Sequence, residues 1–409
     1  MDAQSNEQAS GERWTAPRPV AFWLVASAFA VTMLGTTLPT PLYVIYQREL
    51  RFSTLMITLI YAAYAVGVLA ALLLLGRLSD EIGRRRALLP GLAASMLSAV
   101  VFLTWHDDLE LLFVGRVLSG VSAGIFTGTA TAALVDLADE GGTERASLVA
   151  TAVNMGGLGS GPLLAGVLAQ LAPEPLLLPY AVDLGLLTVV GAGLWFMPEP
   201  VKATVRRPRL RVTRPSVPPQ VRGTFVRAAI AGFAGFAVLG LYTAVAPSFL
   251  GSVLGMHSLA LSGGVVFSVF AASTLGQILL VPRFGQASLA VGCAGLVAGM
   301  VLLTAGLAVE SFELLVAAGV VAGLGQGMSF RAGLTAVNAE APVAQRAAVA
   351  STFFIVIYVA LSLPVVGEGL ATDVVGLRSA GIGFSVAVAV LAGSVLAALW
   401  RSRPAAPSQ

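Results

Sequence analysis

Apolar residues run along this chain in long unbroken blocks separated by short polar punctuation. The blocks fall near residues 20–46, 53–76, 87–105, 110–136, 146–171, 177–197, 224–250, 259–281, 287–308, 313–338, 346–368 and 377–400. Each is long enough to cross a bilayer core of ~30 Å as a helix, which takes about 20 residues. Outer-membrane barrel strands are short and alternate in polarity, so unbroken runs exclude them. The pattern predicts an all-α integral membrane protein with 12 transmembrane helices.

Composition narrows the function classes. Hydrophobic residues make up 57% of the 409 and charged residues 11%, against about a quarter charged in soluble domains. Twelve spans with short loops use nearly the whole chain, which leaves no stretch for a cytosolic catalytic unit, so no enzyme activity is expected. Cys293 is the single cysteine and lies inside an apolar run, so no intramolecular disulfide and no thiolate metal site can form. No metal or cofactor is expected. The net charge of +3 does not signal nucleic acid, because the cations sit in membrane-flanking loops. An even number of spans puts both termini on one side, and that side carries 19 Lys and Arg against 3 on the other. Excess Lys/Arg marks the cytoplasmic face, so both termini are expected in the cytoplasm of a cell-membrane protein. Residues 1–19 lack a basic, signal-like start and are expected to be a cytoplasmic tail without a cleaved signal peptide.

Residues 198–222 break the pattern with six prolines and seven cations. They divide the chain into an N-terminal six-helix bundle (20–197), a cytoplasmic linker (198–222), a C-terminal six-helix bundle (223–403) and a short tail (404–409). Whether the linker lies on anionic headgroups or is a solvated tether is open from sequence. The halves resemble each other: GVSAG from Gly120 matches GLGQG from Gly323, ERASLVAT from Glu144 matches QRAAVAST from Gln345, and GPLLAGVLA from Gly161 matches LPVVGEGLA from Leu363. The offset is nearly constant. A parallel repeat of this kind places substrate at the repeat interface near mid-membrane.

The densest charged stretch between spans is Gly76–Leu89, GRLSDEIGRRRALL, with four arginines. Asp80 stands four residues before Arg84, the order of a local ion pair on a helical turn. In the register Gly76, Leu78, Asp80, Gly83, Arg84 and Arg85 this loop resembles the signature between the second and third spans of the major facilitator superfamily. The resemblance implies two six-helix bundles that rock about a central substrate site, with Gly76, Asp80, Gly83, Arg84 and Arg85 acting in the conformational switch. The counterpart LVPRFGQASL from Leu280 keeps Gly285 and one Arg but lacks the Asp.

Two further motifs extend the resemblance. Arg116 lies six residues past Glu110, ~9 Å into the bilayer at ~1.5 Å per residue, and embedded cations face a cavity or partner on a substrate or ion path. With Gly120 and Gly124 it matches a fourth-span motif in which the Arg of proton-coupled members is implicated in proton transfer; its repeat equivalent is Gly319. In the fifth span Gly157, Gly161, Pro162 and Gly166 resemble the antiporter motif of drug exporters, with Ala165 in place of a Gly. Small residues every four positions allow close helix approach, and Pro162 removes a backbone hydrogen bond. The resemblance as a whole is to the drug and proton antiporter branch. It implies export of small, drug-like or amphipathic molecules against protons, by a monomer embedded in the lipid bilayer. A sugar or metabolite exporter or a proton symporter of the same superfamily, and a non-transporting receptor or scaffold, are the alternatives. Embedded polar groups give the substrate-cavity candidates Tyr43, Asn154, Tyr242, Gln277, Gln326 and Arg331. Residues 20–46 contain no Asp or Glu, where many such exporters carry their acid. Asp183 in span six, at a depth similar to Arg116, is the favoured proton-coupling carboxyl over Asp136 and Glu368.

Overall fold

A computed structural model describes residues 15–76, 78–171, 173–201 and 215–401. Most of the expected tail at 1–19, the linker core 202–214 and the tail 404–409 lie outside the described residues. The first half contains α1 (Arg18–Thr37), α2 (Thr54–Leu75), α3 (Arg84–Thr104), α4 (Leu109–Leu137), α5 (Thr143–Leu171) and α6 (Leu178–Trp195). The second contains α7 (Arg222–Ala244), α8 (Leu259–Leu275), α9 (Ser288–Val309), α10 (Phe312–Glu340), α11 (Arg346–Val375) and α12 (Leu377–Arg401). No strand occurs among the described residues.

Proline sets where the helices depart from the apolar blocks. The first block, 20–46, is not one helix: α1 stops at Thr37, and the chain passes Pro39 and a tight turn at Thr40–Leu42 into a short helix at Tyr43–Leu50. The seventh block breaks in the same way, with α7 ending at Ala244 before a short helix at Ala246–Ser252 that contains Pro247. Proline lacks the N–H needed to continue a helix and clashes with the preceding turn. Each half thus breaks its first helix beside proline, at Pro39 and Pro41 in one and at Pro247 in the other. One helical stretch, Leu259–Val309, is 51 residues long, and a straight helix of that length would be ~77 Å. It is instead two spans: α8 continues through a π-helical turn at Gly276–Leu280 and a last turn at Val281–Phe284, and the chain reverses at Gly285, φ +50°.

Small residues bring the helices together. A Cβ on Gly120 in α4 would lie 2.1 Å from the Tyr64 carbonyl of α2, and one on Gly323 in α10 would lie 2.4 Å from the Val269 carbonyl of α8. Both glycines allow backbone-to-backbone packing, the main source of helix association where lipid removes the hydrophobic driving force. The internal repeat read from sequence is thus the same helix contact made twice. Where α4 carries Arg116, α10 carries Gly319, and the vacated space holds the ring of Tyr242, 2.9 Å from where a Cβ on Gly319 would sit. Tyr242 donates from its hydroxyl to the Leu315 carbonyl at 2.8 Å, tying α7 to α10.

The bundles touch mainly at the end away from the Gly76–Arg85 loop. There Gln170 of α5 accepts from the Ser258 hydroxyl at 2.7 Å and from the Ala260 N–H at 3.0 Å. A Cβ on Gly369 of α11 would meet Thr58 of α2 at 2.4 Å. At mid-depth the rings of Tyr64 and Tyr358 approach to 6.4 Å between centroids.

Candidate functional site

A cavity lies where the two bundles meet at mid-depth, and its walls differ in chemistry. The first bundle contributes Thr36 and Thr37 from α1, Tyr61 and Tyr64 from α2, Arg116 and Thr127 from α4, and Asn154 from α5. The second contributes Phe236, Phe270, Phe330 and Phe354 with Leu239, Ile357 and Leu361, and its one polar side chain is Tyr358. Phe330 is the hub of this aromatic wall, with Phe236 at 5.1 Å, Phe353 at 6.2 Å and Phe354 at 6.3 Å. Its volume is ≈ 50 Å³, whereas ligand pockets span roughly 300–1,000 Å³. The walls must part to admit cargo.

Arg116 is 2% exposed and is held by three groups. Its Nη1 donates to the Thr36 carbonyl at 2.5 Å, and its guanidinium carbon lies 4.8 Å from the centre of the Tyr64 ring and 5.6 Å from that of Tyr61. Cation–π contacts of this length stabilise a desolvated cation by about 2 kcal/mol or more. Its Nε has no partner. Asp183 is equally buried and does not pair with Arg116. Its carboxylate packs on α1 at Gly35, where a Cβ would come within 2.7 Å of Oδ2, and Oδ1 is unpartnered. The two residues named from sequence for proton coupling therefore contact adjacent residues of one α1 turn.

In α5 the motif glycines divide between two neighbours. Added Cβ atoms on Gly157 and Gly161 would strike the carbonyls of Ala30 and Leu34 in α1 at 2.5 Å and 2.2 Å. On Gly166 one would strike the Leu259 carbonyl of α8 at 2.3 Å, and the Pro162 carbonyl lies 2.1 Å from the Cβ position of Gly263. So α5 packs closely against α1 in its own bundle and α8 in the other. Pro162 cannot donate to the carbonyl four residues earlier, that of Leu158. The Thr37 hydroxyl of α1 donates to that carbonyl at 2.6 Å, which satisfies the group the proline leaves orphaned.

The charged loop forms a local network. Arg84 bonds Asp80 at 2.5 Å and Asp136, at the end of α4, at 2.8 Å. Glu199, just past α6, accepts from the backbone N–H groups of Arg84 at 2.5 Å and Arg85 at 3.1 Å, capping the free donors at the start of α3. Gly83 has φ +102°, and a Cβ there would fall 2.5 Å from the Glu199 carboxyl, so both conformation and space call for glycine. Gly76 ends α2, and a Cβ there would press on the Leu72 carbonyl at 2.6 Å. Asp136, a sequence alternative for the proton carrier, is here a partner of Arg84.

Of the six cavity candidates, Asn154 lines the cavity. The other five correct the sequence reading. Tyr43 is buried in α1's continuation with its hydroxyl unpartnered, and Tyr242 fills the space opposite Gly319. Gln277 and Gln326 are 2% and 0% exposed, joined through Ser273, whose hydroxyl bonds Gln326 Oε1 at 2.5 Å and Gln277 Nε2 at 3.2 Å. Arg331 donates to the Gln277 carbonyl at 2.6 Å, inside the π-helical turn of α8. These groups pin α8 to α10. Polarity within a span had suggested a cavity, but such groups also bond between helices of one bundle. The aromatic wall and Glu199 were missed: phenylalanine in a span looks like lipid-facing filler, and nothing local ties Glu199 to Gly83, 116 positions earlier in the chain.

Comparisons with known proteins agree with this architecture. The chain is 33% identical over 115 residues to a triacylglyceride transporter of Mycolicibacterium smegmatis, covering 28% of this chain and 19% of that one. It is 28% identical over 173 residues to the multidrug resistance protein MdtL of Klebsiella pneumoniae, covering 42% and 40%. The alignments thus span well under two thirds of either relative's length. Among solved structures, a bacterial homologue of the human lysosomal transporter Spinster matches with a TM-score of 0.76 at 14% identity, over 96% of this chain and 99% of that one. The human organic anion transporter MFSD10 matches at 0.63 and 16% identity, over 93% and 100%. Residues 25–360 match the Major Facilitator Superfamily, and the chain belongs to that family of multi-pass membrane transporters.

Proposed function

We propose that this transporter expels small amphipathic molecules from the cell in exchange for protons, by alternating access of the central cavity. The charge bias supports an orientation with the Gly76–Arg85 loop and both termini in the cytoplasm. Contacts between the bundles gather at the opposite end, and Asp80 is bound by Arg84 with its side chain 63% exposed. Both features fit a state whose cavity faces the cytoplasm, the side from which an exporter loads. One chain supplies the whole cavity, so the proposed working unit is a monomer.

The observation that carries the reading is the α1 turn Gly35–Thr37. The Thr36 carbonyl is held by a cation facing the cavity, the Asp183 carboxylate packs against Gly35, and Thr37 bonds the Leu158 carbonyl that Pro162 of the α5 motif leaves free. A carboxyl that takes up and releases a proton against this turn can change its packing. The same turn borders the cargo site. Proton uptake and cargo release are then alternative loads on one element, which is what exchange requires. The relatives named for multidrug resistance and for triacylglyceride transport agree with amphipathic cargo.

Expression in a host stripped of its own pumps, screened against amphipathic toxic compounds, tests this. Resistance to a subset, lost when the proton gradient is collapsed, is expected. Accumulation of those compounds in the cells instead of their removal would reverse the direction. Resistance indifferent to the gradient would remove proton coupling.

A further inference from the structure

We propose that the cavity selects amphiphiles with one negative charge: an anionic head held at Arg116 and an apolar body laid on the phenylalanine wall. This rests on the reading of the central cavity as the cargo site and adds the class of cargo.

Charge carries the argument. Among the described residues that line the cavity, Arg116 is the one charged side chain. No carboxylate pairs with it; the ion pairs among the described residues join Arg84 to Asp80 and Asp136, and Arg378 to Glu310. Asp183 packs behind α1 on Gly35. A buried guanidinium with one carbonyl, two aromatic faces and an unpartnered Nε leaves the cavity positive. In a low-dielectric cleft such a field concentrates anions and excludes cations. The guanidinium also offers a planar fork of donors suited to a carboxylate, sulfonate or phosphate.

Shape and polarity set the rest. The hydrogen-bonding groups on the Arg116 side of the cavity are Thr36, Thr37, Tyr61, Tyr64, Thr127 and Asn154, all on the first bundle. The facing wall offers aromatic and aliphatic surface and the single hydroxyl of Tyr358. A sugar would leave its hydroxyls unpaired against that wall, which is costly for buried polar groups. A cationic drug would meet Arg116 with no carboxylate to offset it. A molecule with its charge at one end and an alkyl or aromatic body satisfies both walls.

The test uses the full chain in phosphatidylcholine nanodiscs and three fluorescent probes of one length: 11-(dansylamino)undecanoic acid, its methyl ester, and the matching undecylammonium. The acid is expected to bind at least about tenfold more tightly than the ester, a difference of ~1.4 kcal/mol, and the ammonium more weakly than either. Arg116→Gln should bring the acid down to the ester's affinity, Arg116→Lys should keep part of the preference, and Phe330→Ala should weaken all three probes. The comparison on the unmodified protein stands whether or not a variant folds. Equal binding of acid and ester, or tighter binding of the ammonium, would overturn the proposal while leaving an amphiphile cavity. A charge preference that survives in folded Arg116→Gln protein would also overturn it. No saturable binding by any probe would remove the cavity reading itself, and the proposal with it.

Discussion

Arg116 and Asp183 meet the same turn of α1 at neighbouring residues, yet form no ion pair: Arg116 holds the Thr36 carbonyl at 2.5 Å, and Oδ2 of Asp183 lies 2.7 Å from where a Cβ on Gly35 would be. A direct pair would make each group fix the other's charge. In the exchange proposed above, contact through a shared backbone turn would let cargo act on one and a proton on the other, with α1 as the element both bias. Allosteric coupling needs such an element, with different contacts in its two states.

Gly35→Ala tests the tightness of that turn. The added methyl must displace the Asp183 carboxyl or push α6 away, so proton-driven transport should fall by tenfold or more while the protein still inserts. Gly185→Ala, also in α6 but with open space around its Cβ position, is the matched control and should transport normally. Flux in proteoliposomes and unfolding temperature in detergent check both; normal flux by Gly35→Ala would show that the turn has slack.

The Thr37 hydroxyl and Pro162 make a separable prediction. Thr37→Val strips the partner from the Leu158 carbonyl and should cost about 0.5–2 kcal/mol of stability. In a Pro162→Ala background the returned backbone N–H can bond that carbonyl, so the same Thr37→Val change should cost distinctly less. A double-mutant cycle by thermal unfolding reads the coupling, and strictly additive effects would contradict the assignment.

The fold and its motifs were legible in sequence because each is local. Apolar block length, the loop charges and the small-residue spacing in α4 and α5 are properties of contiguous residues, and the 201–203 offset of the repeat exposes the two halves. The cavity was less legible. Its phenylalanines come from four helices, α7, α8, α10 and α11, and their convergence depends on tertiary packing. Gln277, Gln326 and Arg331 were misplaced because a polar group inside the membrane can serve a helix pair as well as a cargo. The surroundings of Arg116 were no more legible: a backbone carbonyl and two tyrosine rings hold it, and neither leaves a mark in the local sequence.

The end of the molecule where the bundles meet should open during transport. Gln170 and Ser258 touch there across the α5–α8 contact, and Cys293 is the one native cysteine and is buried. In a Cys293→Ala background, Gln170→Cys with Ser258→Cys should cross-link readily, block transport when oxidised and recover it on reduction. Full transport by the cross-linked protein would contradict alternating access at this contact.

The loop network should matter for the cycle more than for stability. Asp80 is largely exposed and Arg84 keeps Asp136 without it, so Asp80→Asn should lower stability by less than ~1 kcal/mol, the usual scale for an exposed ion pair. Transport should nevertheless fall several-fold if Asp80 stabilises the state with the opposite end open, by docking near the helix N-terminus of α11. Unfolding temperature and flux, compared in one preparation, separate the two effects, and unchanged flux would leave the loop a topological signal alone.

The most direct test compares two modes of transport by Asp183→Asn in proteoliposomes, with dansyl-undecanoate as cargo. Exchange of labelled for unlabelled cargo across equal pH needs the cavity but no proton. Accumulation driven by a pH gradient needs both. Loss of driven accumulation with exchange retained is the result expected if cargo and proton act on one α1 turn through Arg116 and Asp183; accumulation matching the unmodified protein would show that Asp183 carries no proton in the cycle.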